Sequence, residues 1–144
     1  MSLHDAYDPD NVFARILRGE LPSVRVWEDD EVLVFLDVFP QSEGHMLVIS
    51  KTSRARNILD IEPDVLARLS HAAQRAAKAA VKALGCDGVT LMQFNGATAG
   101  QTVFHLHFHV IPRWADRDLK GHGQAPMADA AALEPVAEVL RAAF

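Results

Sequence analysis

The segment His105-Leu106-His107-Phe108-His109-Val110-Ile111 alternates histidine with an apolar residue, and this period of two constrains the fold more than any other feature of the chain. In a strand alternate side chains share a face, so His105, His107 and His109 project one way while Leu106, Phe108 and Val110 project the other. One face is polar and the other belongs to a core. With seven histidines in 144 residues, three at fixed alternate places arise by chance at roughly one start site in 10⁴, so the pattern is much sharper than a lone motif.

The remaining sequence supplies a sheet for that strand and helices to cover it. Asn11 caps a short helix in which Val12, Phe13, Ile16 and Leu17 share a face, before Gly19 and Pro22 stop it. β-Branched and aromatic residues mark strands at 24–27 and 31–37, a hairpin with Glu28, Asp29 and Asp30 as its turn. A third strand follows at 45–49, behind the loop 40–44. Pro63 then opens a long helix that Gly85 ends, with Leu66, Leu69, Ala73, Ala76, Ala80 and Leu84 along the side that faces the sheet. Strands at 88–94 and 103–111 flank the loop 95–101, and a C-terminal helix spans about 129–144, where Pro135 is expected to shorten or restart it. These elements predict the α+β class: a five-stranded antiparallel sheet, one long central helix, a short N-terminal helix and a C-terminal helix. Residues 1–10 read as a flexible arm and 11–144 as a single domain, because this length supports one core.

Composition excludes several classes. Hydrophobic residues at 49% and charged residues at 23% are the averages of globular chains, and a net charge of -5 has the wrong sign for a duplex-binding surface. Cys86 is the only cysteine, which leaves neither an intrachain disulfide nor an all-cysteine metal site and fits a reducing compartment. The acidic start MSLHDAYDPD is unlike a signal peptide, and no apolar run approaches the roughly 18 residues of a spanning helix. A cytoplasmic protein with no nucleic-acid or membrane partner is expected.

A row of histidines suits a metal ion or a phosphorus substrate, and geometry bears on the choice. Strand residues two apart are separated by about 6.6 Å and those four apart by about 13 Å, whereas nitrogens bound at about 2.0 to 2.1 Å to one ion lie within a few ångströms of each other. At most a neighbouring pair can ligate. A phosphate ester with its leaving group is longer, and three imidazoles spread along it can attack, orient and protonate at different points. The loop Asn95 to Thr102, rich in glycine, small residues and amides, is either an ordinary hairpin turn or one whose backbone N-H groups approach an anion. Gln101 and Thr102 lie at its end, beside the histidines. His45 opens an apolar strand behind Gly44, where a lone histidine is commonly a satisfied core residue. Lys120 and His122 lie in a Gly-flanked loop that reads as solvated or as a reach toward ligand.

The segment AGQTVFHLHFHVIPR resembles the signature of the histidine triad family of nucleotide hydrolases and transferases. VFARILRGELP and WEDDEVLVFLDVFPQSEGHMLVISK are similar to the family's histidine triad nucleotide-binding proteins, in the expected order from about Asn11 to Arg113. The resemblance implies a histidine-triad fold and a purine nucleoside 5'-phosphate derivative cleaved at the α-phosphorus, of the adenosine phosphoramidate or aminoacyl-adenylate type. His107 is then the nucleophile that forms a nucleotidyl-imidazole intermediate. His109 contacts phosphate and leaving group and protonates the latter, the carbonyl of His105 fixes the tautomer of His107, and His45 supports the triad.

Binding residues follow from the same resemblance. Asp37 matches the acid that accepts the ribose hydroxyls, although alone it reads as a strand-ending turn residue. Val12, Phe13, Ile16, Leu21 and Phe35 match the apolar wall around the base and also read as core. Asn95, Gln101 and Thr102 match the residues that hold phosphate and leaving-group oxygens. Relatives that bind structural zinc place two cysteines and a histidine where this chain has Asn11, Ala14 and Ser53, so neither a metal nor another cofactor is expected. Pro112-Arg113-Trp114 resembles instead the branch that cleaves dinucleoside polyphosphates, which stands as an alternative, with a non-catalytic nucleotide-binding module as a second. The resemblance implies a homodimer.

Overall fold

The computed structural model describes residues 3–144. Its elements are α1 (Val12–Leu17), β1 (Arg25–Glu28), β2 (Val32–Leu36), β3 (Met46–Ser50), α2 (Pro63–Leu84), β4 (Gly88–Met92), β5 (His107–Arg113) and α3 (Ala130–Ala143), with a 3₁₀ turn at Ala97–Ala99. The five strands form one sheet in the order β1-β2-β3-β5-β4, antiparallel at every pairing. The α+β architecture read from the sequence is the one observed.

Local chemistry sets the element ends. Asn11 accepts the Ala14 amide at 3.0 Å and so caps α1. Asp29 accepts the amides of Glu31 and Val32, each at 2.8 Å, and closes the β1-β2 turn. Pro63 stands at the start of α2 and Gly85 ends it in the left-handed region at φ 62°. Asp129 caps α3, and Pro135 lies inside that helix without dividing it, contrary to the break expected there.

Both faces of the sheet are covered, which is why β2 and β3 are buried at every residue instead of alternately. Val34, Leu36, Met46, Val48 and Val110 face α2 and α3, with Leu69, Ala73, Ala76 and Ala80 of α2 buried against them. The small alanines let the helix lie close to the strands. Leu33, Phe35, Leu47 and Ile49 point the other way and meet Phe13 and Ile16 of α1. Gly44 precedes β3 at φ 82°, and a Cβ there would stand 2.5 Å from Leu84 Cδ1. Only glycine lets β3 start so close to the end of α2.

A further difference lies at the last strand. The last strand begins at His107 instead of Val103, so His105 and Leu106 precede the ladder, and the Leu106 amide donates to Ala55 O at 3.0 Å. Residues 1 and 2 of the expected flexible arm lie outside the described residues, while 3–10 run back over the domain. Ala6 O accepts from Arg56 at 3.1 Å, Leu3 O accepts from Asn57 at 3.0 Å, and Tyr7 reaches His105.

Candidate functional site

Position in the sheet brings the histidines together. His107 pairs with Ile49 and His109 with Leu47, on the α1 face of the sheet. Because residue 105 is outside the ladder, its carbonyl is free to turn toward the next histidine and accepts from His107 Nδ1 at 2.8 Å. A neutral imidazole has one N-H, so this bond places it on Nδ1 and leaves the lone pair on Nε2. His107 Nε2 has no protein partner among the described residues.

The same rule fixes the other rings. His105 donates from Nε2 to Ser50 O at 3.1 Å, and its Nδ1 accepts from the Tyr7 hydroxyl at 2.7 Å. The Gln41 amide donates to His45 Nδ1 at 3.0 Å, so the proton of His45 is on Nε2, which stands 2.9 Å from His109 Nδ1. His109 therefore accepts at Nδ1 and carries its own proton on Nε2, a buried atom with no partner. Burial keeps all four rings neutral by penalising the charged form, lowering His45 to about 3, His105 and His107 to about 4, and His109 further still.

Asp37, just past β2, accepts the Phe39 amide at 2.8 Å through Oδ1. Its Oδ2 lies 3.4 Å from His45 Nε2 and 3.9 Å from His109 Nδ1. Burial raises this carboxyl to about 6. These three atoms are spaced as ligands of one ion would be, but metal binding needs a lone pair on His45 Nε2 and so a proton on Nδ1. The Gln41 N-H already points at Nδ1, so the trio is a hydrogen-bonded chain and a poor ligand set. At the positions associated with structural zinc, Asn11 is a helix cap, Ala14 offers no ligand, and Ser53 Oγ accepts the Ala55 amide at 3.1 Å.

The residues that the resemblance assigns to the base lie mostly in one apolar cluster. Phe13, Ile16 and Phe35 form one buried cluster with Leu21 packed against it. The Phe13 ring meets His107 edge-on, centroids 4.9 Å apart. Val12 is outside that cluster and 47% exposed.

The loop 95–101 differs from the anion cradle that its composition allowed. The amides of Ala99 and Gln101 bond Gly96 O, that of Gly100 bonds Ala97 O, and that of Gly96 bonds Gln101 Oε1. Gln101 Nε2 donates to Arg56 O at 2.7 Å and to Val103 O at 3.0 Å, so the whole amide holds the loop. Asn95 Oδ1 accepts from Ile58 N and Gln93 Nε2, and Nδ2 donates to Gln93 Oε1. One Asn95 N-H and the exposed Thr102 hydroxyl have no bonded partner among the described residues. A short glycine-rich loop satisfies its own backbone before it serves a ligand.

Sequence reasoning missed Tyr7, Ser50, Gln41 and Phe94. The first lies in an arm without periodicity, and the next two act on the histidines through main-chain atoms that the sequence does not orient. His122, in the loop that reads as solvated or as a reach toward ligand, donates from Nε2 to Gly100 O at 2.9 Å, so Nε2 carries a proton. Its ring stands 4.7 Å from Phe94 and 5.3 Å from His109, centroid to centroid.

Comparison with known proteins places this arrangement. Residues 18–116 match the HIT domain. The chain is 40% identical over 119 residues to adenylylsulfatase HINT3 of Arabidopsis thaliana, covering 78% of this chain and 60% of that protein. A crystal structure of a Hit-like protein from Bartonella henselae, described as involved in cell-cycle regulation, superposes with a TM-score of 0.88 at 47% identity over 96% of this chain and 100% of that one. A Zn-bound histidine triad family protein from Mycobacterium smegmatis superposes with a TM-score of 0.82 at 36% identity over 93% of this chain and 92% of that one.

Proposed function

This chain belongs to the HIT domain family, and we propose that it hydrolyses a purine nucleoside 5'-phosphate derivative at the α-phosphorus through a nucleotidyl-His107 intermediate. The observation that carries this reading is the 2.8 Å bond from His107 Nδ1 to His105 O, which presents a neutral Nε2 lone pair with no partner to remove. A buried ring lowered to about 4 keeps that lone pair at neutral pH.

His107 Nε2 forms a bond to phosphorus as the bond from phosphorus to the leaving group breaks, the electron pair departing with the leaving group. His109 Nε2-H is the donor nearest that departure. A leaving group that is stable as an anion needs only the hydrogen bond. A basic one takes the proton; His109 Nδ1 then takes one from His45 Nε2, and the Asp37 carboxyl returns a proton to His45 Nε2, so Asp37 ends as the carboxylate and every ring stays neutral. In the second half-reaction water attacks phosphorus, returns its proton to this chain of groups and releases the nucleoside monophosphate and His107. Phe13 and its apolar neighbours serve the base, and Thr102 with the remaining Asn95 N-H serves phosphate oxygens.

The substrates this reading favours are adenosine phosphoramidates and adenylates bearing an acyl or sulfate leaving group, the last because the plant relative is named an adenylylsulfatase. Pro112-Arg113-Trp114 supports dinucleoside polyphosphates as the alternative within the same chemistry. The reading places a homodimer in the cytoplasm. Among the described residues no helix is long and apolar enough to cross a membrane.

The test is quenched turnover of adenosine 5'-phosphoramidate, adenosine 5'-phosphosulfate and a diadenosine polyphosphate in EDTA. AMP release that disappears with His107→Ala supports the mechanism, and the kcat/KM ratios select the substrate class. AMP binding without any turnover points to the interaction module instead.

A further inference from the structure

Resting on the mechanism proposed above, we infer that His122, from the loop between β5 and α3, is a second contact to the leaving group and favours leaving groups that depart as oxoanions. Two rings in contact each have one nitrogen without a partner among the described residues. His109 Nε2 is buried and unbonded, and His122, whose Nε2 is anchored on Gly100 O, has Nδ1 to spare. The rings stand nearly perpendicular at 88° with centroids 5.3 Å apart, so a tetrahedral group can meet both nitrogens. Phe94 packs on the two rings, at 5.5 Å from His109 and 4.7 Å from His122, and fixes their mutual placement.

The choice of an oxoanion follows from charge. Among the described residues no lysine or arginine is hydrogen-bonded or ion-paired to the four histidines or Asp37. The four buried histidines are held neutral by desolvation. As a cation His122 lies within Coulombic reach of Asp37, His45, His107 and His109. It is the group able to place positive charge where negative charge develops as the bond to phosphorus breaks. In the protonated ring both nitrogens donate, so Nε2-H stays on Gly100 O and Nδ1-H meets the departing sulfate or phosphate oxygen. An amine leaving group gains nothing from that N-H, since it departs with a proton and not with a negative charge.

The experiment compares kcat/KM for adenosine 5'-phosphosulfate and adenosine 5'-phosphoramidate in the full chain and in His122→Gln and His122→Arg. The glutamine amide can still donate to Gly100 O but brings no charge. The ratio of sulfate to amidate turnover is expected to fall about tenfold to a hundredfold in His122→Gln, the weight of one charge-assisted hydrogen bond, and to recover at least partly in His122→Arg. A ratio that moves less than twofold in His122→Gln, or a larger loss with the phosphoramidate, overturns the inference. If the unaltered chain turns over neither substrate, the mechanism itself has failed, a result distinct from an unchanged ratio.

Discussion

His45 Nε2 lies 2.9 Å from His109 Nδ1, joining residues 64 positions apart in the chain. This contact decides which nitrogen of His109 carries the proton, because the proton His45 lends to Nδ1 obliges His109 to keep its own on Nε2. The Gln41 main chain sets the direction of the whole sequence by occupying His45 Nδ1.

Replacing His45 by phenylalanine keeps the ring volume and removes the donor. His109 is then free to adopt the other tautomer, and kcat is expected to fall about tenfold to a hundredfold with KM changing much less. Steady-state kinetics with the phosphoramidate checks this. An unchanged kcat would mean that His109 does not depend on His45 for its proton placement.

The acid side of the rate profile should also be displaced. An ordinary imidazole with a pKa of about 6.5 loses most of its neutral form by pH 5, whereas His107 is lowered to about 4 by burial. The step that forms the nucleotidyl intermediate, followed by rapid quench, is expected to keep its His107 dependence flat from pH 7 to 5. A drop of about twenty-five-fold over that range would show an ordinary histidine.

Stability should move with pH through the same groups. The folded values of His45, His105, His107 and His109 lie below the unfolded 6.5, so their stabilisation is fully present above pH 6.5 and is lost as pH falls toward 4. Each histidine contributes a slope of up to about 1.4 kcal/mol per pH unit in that window. Asp37 acts in the opposite sense: raised from 3.8 to about 6, it favours folding at low pH and loses that contribution as pH rises through 6. One acid cannot offset four bases, so the urea midpoint at pH 5 should lie below that at pH 7, and the reverse order would contradict the burial of the rings.

Tyr7→Phe removes the hydroxyl that His105 Nδ1 accepts from at 2.7 Å. His107, the proposed nucleophile, is held by the main chain of His105 and not by its ring, so kcat is expected to fall by less than about tenfold, with a stability loss of about 1 kcal/mol. Denaturant unfolding and turnover measured on the same preparation separate the two effects. A loss as large as that of His107→Ala would give Tyr7 a direct part in the reaction.

Gly44→Ala tests the entry to β3. A Cβ placed 2.5 Å from Leu84 Cδ1 at φ 82° should destabilise the fold by about 1 to 3 kcal/mol. Gly88→Ala, which meets nothing within 4 Å, is the control. Equal unfolding midpoints for the two variants would show that β3 can shift away from α2 at no cost.

Period and punctuation in the sequence were enough for the elements. Alternation at 105–110, Pro63 and Gly85 around α2, and the aspartate turn at 29 each act through neighbours a few residues away, and such local signals are readable from sequence order alone. Pro135 does not divide α3, which continues through it despite the missing amide, its Leu133, Ala137 and Leu140 buried in the core. Val103 and Phe104 resemble strand residues, yet β5 starts only at His107.

The histidines, their order and the family signature were therefore fixed by the sequence, together with the one-sided chemistry of the strand that carries them. The proton on each ring was decided only by the tertiary structure, through Gln41 N, Ser50 O, His105 O and Tyr7. So were the closed loop at 95–101 and the arrival of His122 beside His109. Hydrogen bonds to main-chain atoms have no sequence signature, because every residue carries the same N-H and C=O, and only the folded chain determines which of them meets an imidazole.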